Sequence, residues 1–403
     1  MIKSQLKKII LIILLLISLG FIFVYSSRKN MNNKKTTVVF WTLQLGSYSE
    51  YVNNIINEFE SNNPNVKIKW IDVPYSEGEK RTLAAILTDN PPDLINLTPD
   101  FSLLLAQKNA LYFFDKSTLK QFKQSLIAPL QYNGMYFGIP FYATSAVTLY
   151  NKQLLSGNIP KNYDDLFKMV PPKNSFITMI NFTENDTLLK LLNKYDINSY
   201  DKIYSEKSIS LYKTFKELYG KGYIPKESIN QTHRDSLEKY MSGQLAVIVT
   251  GANFINMIKE NAPSVYKNTE IMPQLTGDTG LYDYSLMNFV IPAKAKNKEY
   301  ALKFCLFFTN KKNQLDFVKM TPILPVNIEA LEDDYFKTDI GTLESKAKKI
   351  SAAQLNKLQP PLPYFENRKE LNNLSSNYIQ EILINNSDIE ETLKNFSQDW
   401  KNL

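Results

Sequence analysis

Apolar positions near the start of the chain switch repeatedly between strand-like runs and helical spacing. Thr37-Val38-Val39-Phe40-Trp41 is a β-branched and aromatic run that reads as a buried strand. Ser47-x-x-Glu50 has the form of a capping box, and Tyr48, Tyr51, Val52, Ile55, Ile56 and Phe59 follow at helical spacing until Asn63-Pro64. Val66, Ile68, Trp70, Ile71 and Val73 predict a second strand. Leu83, Ala84, Ile86 and Leu87 predict a helix closed by Asn90-Pro91-Pro92, and residues 93–97 predict a third strand before a helix at 101–109. This β-α-β-α-β order requires right-handed crossovers and an open α/β sheet covered on both faces. Ligands of such sheets bind outside the carboxyl ends of the strands, here the loops 41–47, 74–77 and 97–100.

Further on, Asn133-Gly134 marks a turn, and residues 138–141 and 146–150 read as extended segments. Helices are expected around 186–194 and 207–219, a buried strand at 244–249, a helix starting at Phe254, a strand at 289–292 and a helix at 299–308. The tail from Tyr364 is mostly helical by its spacing of Leu371, Leu374, Tyr378, Ile382, Leu393, Phe396 and Trp400.

The leader changes the picture of where the chain works. Lys3, Lys7 and Lys8 precede an apolar run at 9–24, and a polar stretch at 26–35 follows at once, which argues against a buried core helix. We expect residues 1–35 to be a signal peptide, or an uncleaved membrane anchor, plus linker. The lysines stay inside and the remainder lies outside: in the periplasm or on the outer face of the cytoplasmic membrane. No cysteine lies near residue 20, so a lipoprotein is not expected. Seven of the 47 basic residues and none of the 40 acidic ones fall in 1–35, so the rest has 40 of each. A nucleic-acid partner is therefore not expected.

Candidate chemistry is sparse. The 403 residues contain one cysteine, Cys305, and one histidine, His233. This rules out an internal disulfide and every metal motif that needs two histidines, and we expect no metal and no cofactor. Cys305, in an aromatic run, reads as a core residue, and His233, in a polar stretch, as a lone surface side chain. The adjacent pairs Asp164-Asp165 and Asp333-Asp334 read as helix starts or solvated turns rather than acid/base dyads. Ser117-x-x-Lys120 lacks the partner elements of a penicillin-binding site. Aromatics and neutral polar groups instead gather at strand ends: Trp41, Gln44 and Tyr48, then Tyr75, Asp100, Tyr142, Thr144 and Ser145, and later Asn253 and Phe254. A flat ring beside such groups suits a sugar, the ring covering C–H faces and the polar atoms reading hydroxyls.

Segments in a recognisable order carry a family resemblance: Val39-Phe40-Trp41-Thr42, 59–66, 90–95, Gly138-Ile139-Pro140-Phe141, Leu149-Tyr150-Asn151-Lys152, 243–251, 290–294 and 301–304. From about residue 37 onward the chain resembles the family 1 extracellular solute-binding proteins, the maltose-binding-protein-like sugar-binding subunits of bacterial ABC importers. The resemblance implies the two-lobed periplasmic-binding-protein fold (type II), with open sheets covered by helices and a ligand cleft between the lobes. It implies lobe 1 at 36–143 and 288–324 and lobe 2 at 144–287 and 325–403. It places Trp41, Gln44 and Asp100 toward the ligand from the first lobe and Asn181, Asn253 and Phe254 from the second, with Tyr364 on a late loop. Asn253 stands where a tryptophan is often found. The implied function is capture of a mono- or oligosaccharide by a monomer, with delivery to ABC importer permease subunits and no catalysis. A sensing module for a membrane receptor and an exported carbohydrate hydrolase are the alternatives; the hydrolase would need a second carboxylate beside Asp100.

Overall fold

The computed structural model describes residues 35–155, 157–360, 362 and 367–403. The expected leader and Tyr364 lie outside the described residues. Nine strands are described: β1 Thr36–Leu43, β2 Val66–Val73, β3 Leu94–Leu97, β4 Gln131–Tyr132, β5 Met135–Tyr136, β6 Ile139–Asn151, β7 Val247–Gly251, β8 Thr269–Pro273 and β9 Tyr284–Val290. The helices used below are α1 Ser49–Asn62, α2 Gly78–Ile86, α3 Pro99–Gln107, α4 Thr187–Asn193, α5 Glu206–Gly220 and α6 His233–Met241. They continue with α7 Phe254–Asn261, α8 Lys298–Phe308, α9 Lys311–Met320, α10 Leu343–Gln354, α11 Arg368–Leu383 and α12 Ile389–Asn402. No helix among the described residues is long and apolar enough to cross a membrane.

The chain divides into two compact units, Met1–Asn96 with Ile291–Phe308 and Leu97–Val290 with Thr309–Leu403. In unit 1, β1 lies parallel between β2 and β3, as the β-α-β pattern requires. One face is sealed by aromatic rings. Phe40 of β1 meets Phe304 and Phe308 of α8 edge-on at 5.2 and 5.6 Å, and Phe59 of α1 meets Phe304 at 5.0 Å. Cys305 is fully buried here, as a core residue. Ser47 and Glu50 do not form the expected capping box. A single 3-10 turn at Gly46–Tyr48 precedes α1, whose N-cap is Tyr48 with no side-chain cap bond. Asp72 secures this corner instead, accepting from Thr42 Oγ1 at 2.6 Å and from the backbone N–H groups of Leu45 and Gly46 at 2.8 Å each.

In unit 2 the two expected extended segments are one thirteen-residue strand, β6, bulged between Pro140 and Tyr142. The bulge accommodates a proline that cannot donate to a ladder. The first half of β6 pairs antiparallel with β9, the second half with β7 and β8. Neighbouring residues of β7 face opposite ways: Val247 joins a core with Phe182, Phe215, Ile379 and Phe396, and Ile248 joins one with Tyr240 and Ile255. Both sheet faces are thus covered. Asn133-Gly134 closes the β4–β5 hairpin with φ of 50° and 81°, the conformation a two-residue turn of this hand demands. Asp164 and Asp165 lie in the first turn of a short helix at Tyr163–Phe167, and Asp333 caps another, as the sequence suggested.

Candidate functional site

Residues 181–186 connect the core of unit 2 to α4 and carry two carboxylates to different partners. Asn185 between them has a left-handed φ of 44°, which turns the chain sharply. Asp186, the N-cap residue of α4, accepts from Arg368 Nη1 at 3.2 Å and from Asn372 Nδ2 at 2.7 Å. Arg368 and Asn372 stand four residues apart on α11, hence on one face. Glu184 accepts the backbone N–H of His233 at 2.8 Å. That N–H belongs to the first residue of α6, where Thr232 and Asp235 complete a capping box.

His233 is not the lone surface side chain expected from its polar neighbours. It is half-buried, its Nε2 lies 2.9 Å from Thr250 Oγ1, and its ring meets Phe254 edge-on at 5.7 Å. Burial holds its pKa below the usual histidine value, against the pull of Glu184. At neutral pH the imidazole is therefore uncharged, with one ring nitrogen able to accept and the other to donate.

Asp100 lies in the first turn of α3, behind Pro99. Its side chain reaches solvent, yet protein crowds it enough that lost hydration raises the carboxyl above its usual range. Arg368 opposes this rise, Asp186 adds to it and Lys190 opposes it. Tyr284, the first residue of β9, is pushed up to about 12, by burial and then by the charge of Asp100. One region of unit 2 therefore gathers Asp100, Tyr284, Asp186, Arg368 and Lys190 within mutual electrostatic reach. The 181–186 loop joins it to His233, Thr250 and Phe254. Spacing could not reveal the pair Arg368–Asp186, whose partners are 182 residues apart; its only sequence signal is that arginine is scarce.

The other residues expected from sequence fall as follows. Asn181 is buried, donating to the Gln231 carbonyl at 2.9 Å and accepting from Ser236 Oγ at 2.9 Å. Tyr142 and Thr144 are half-buried alternate residues of β6, opposite Met287 and Ser285. Asn253 is exposed at the start of α7, its side-chain oxygen folded over Gly251, where a Cβ would collide with it. In unit 1, Trp41 is half-buried on the sheet face opposite Phe40, with its indole N–H buried and unpartnered. Gln44 is exposed, in left-handed backbone with φ of 55°, and Tyr48 is half-buried at the foot of α1. Among the described residues, no group of three or more His, Cys, Asp or Glu side chains is placed to hold a metal ion.

Residues 54–343 match the model of the bacterial extracellular solute-binding protein family. A binding protein of Brucella abortus (strain 2308) is 22% identical over 93% of this chain and 93% of its own length. The multiple sugar-binding protein of Streptococcus mutans serotype c is 23% identical over 77% of this chain and 79% of its own. Among solved structures, a periplasmic-binding protein from Synechococcus sp. MITs9220 superimposes with a TM-score of 0.80 at 23% identity, covering 91% of this chain and 98% of that one. The likeness shows that the chain has the α/β periplasmic-binding-protein fold.

Proposed function

Because the chain belongs to the bacterial extracellular solute-binding proteins, we propose that it captures a mono- or oligosaccharide outside the cytoplasmic membrane and passes it to the permease subunits of an ABC importer. The similar Streptococcus mutans protein is named for sugar binding. The observation that carries the reading is the set of groups in unit 2: the exposed carboxylate of Asp100, the hydroxyl of Tyr284, the neutral imidazole of His233, held by buried Thr250, and the ring of Phe254. A sugar presents hydroxyls that both donate and accept, and C–H faces that pack on a ring. Asp186 holds the Arg368 guanidinium in place within electrostatic reach of Asp100.

Trp41, Gln44 and Tyr48 at the carboxyl end of β1, with Tyr142, Thr144, Asn253 and Tyr364, are proposed as further ligand contacts; Asn181, buried with its amide engaged by Gln231 and Ser236, braces the start of α6 instead. The protein works as an exported monomer that is not a lipoprotein, and it releases no product from its ligand. A calorimetric screen of neutral mono- and oligosaccharides tests the proposal. We expect one class to bind with a Kd at or below the micromolar range. Heat signals absent across the panel, or sugar cleaved at catalytic protein concentrations, would overturn it.

A further inference from the structure

We propose that a groove in unit 2 between the end of α9, the helix Asp334–Lys337 and α10 is a binding site for an oxyanion, a carboxylate or a phosphate borne by a small solute, with Lys348 as its anchor. The groove encloses about 540 Å³. Lys348 lines it, half-buried, with its ε-ammonium 3.5 Å from the centre of the Tyr335 ring. It makes no ion pair or hydrogen bond to any described residue. The unpaired ammonium is unusual in its setting. The other lysine of α10 that reaches inward, Lys346, pairs with Glu270 at 3.2 Å. The one carboxylate lining the groove, Glu344, is engaged elsewhere, accepting from Tyr266 Oη at 3.2 Å and lying 4.0 Å from Lys259.

A ring face attracts a cation but leaves its outer side without an acceptor. A charge drawn partly out of water costs free energy until a counter-charge reaches it. Burial lowers the pKa of Lys348, so an arriving anion would restore its preference for the charged form. Lys319 adds a second positive charge to the lining. Met320 and Ile340, both exposed, border the same space and suit an apolar body behind the charged head.

Competitive acetylation read by mass spectrometry tests the proposal on the full chain. At constant ionic strength, inorganic phosphate or glucuronate should slow modification of Lys348 at least threefold, saturably. Lys349, exposed on the same helix, should be unaffected, and neutral glucose should protect neither. Protection by phosphate alone or glucuronate alone would identify the oxyanion. Tyr335→Leu, which leaves the lysine in place, should abolish the saturable protection. Unchanged labelling of Lys348, an equal fall at Lys349, or protection by glucose would overturn the site.

Discussion

Asp100 and His233 titrate in opposite senses, and each sense can be measured. Protein crowding raises Asp100, so the folded state holds that proton more tightly than the unfolded chain does. Between the ordinary aspartate value, about 4, and the raised one, stability falls as pH rises. Asp100→Asn should remove that slope and leave the protein at least as stable above the window. It should also weaken binding of the identified sugar about tenfold or more, since a charged acceptor becomes a neutral amide. Thermal unfolding against pH and calorimetry check the two halves, and wild-type affinity would take Asp100 out of the site. Burial lowers His233, so stability instead rises with pH up to about 6.5 and is lost below that. As the sole histidine, it gives one imidazole signal by NMR. Its midpoint should lie below the free value and drop further in Glu184→Gln, because Glu184 now pulls it upward.

Helix α4 is fastened at both ends. Asp186 joins Arg368 at its start, and Lys194, just past its end, joins Asp283 at 2.7 Å. Lys194 also donates to Gln274 Oε1 at 3.1 Å, and Gln274 Oε1 in turn accepts the N–H of Asp283 at 2.7 Å. Asp283 precedes Tyr284, so one helix braces two parts of the candidate site. Lys194→Met should cost about 3 kcal/mol, because it strands a partly buried carboxylate. Denaturant unfolding measures this, and a change under about 1 kcal/mol would mean that water already serves Asp283. These ties also mark where sequence reading stopped. The strand β1 was legible as a β-branched and aromatic run, β2 as apolar positions between Asn65 and Pro74, and β3 as an apolar run between Pro92 and Pro99. Phe254 was legible as a helix start because it follows Thr250-Gly251. The capping box at Ser47 misled because a 3-10 turn, held by Asp72 from another strand, takes up Ser47 and leaves Tyr48 as the N-cap, with Glu50 already in the first turn of α1. His233 looked solvated because its partners, Thr250 and Phe254, come from a later strand and helix. No local pattern encodes such meetings.

At the scale of the molecule, charge is segregated along the chain. With residues 1–35 removed, 40 basic and 40 acidic residues remain. We expect a chain starting at Thr36 to focus near neutrality, against about 9.0 for the whole sequence. It should be least soluble there, and it should show no salt-sensitive binding to duplex DNA at micromolar concentration. Tight DNA binding with a steep salt slope would contradict this reading. The single thiol adds a consequence of another kind. Cys305 lies in the aromatic core of unit 1, fully buried and with its pKa raised well above the usual value. A thiol reagent attacks the thiolate and has no path to it in the folded state. Labelling must wait for unit 1 to open, and under fast reclosing its rate counts those openings. The protein thus carries its own clock for one half of its fold. Comparing that clock with the unfolding of the whole chain will tell whether the two units come apart together or one at a time.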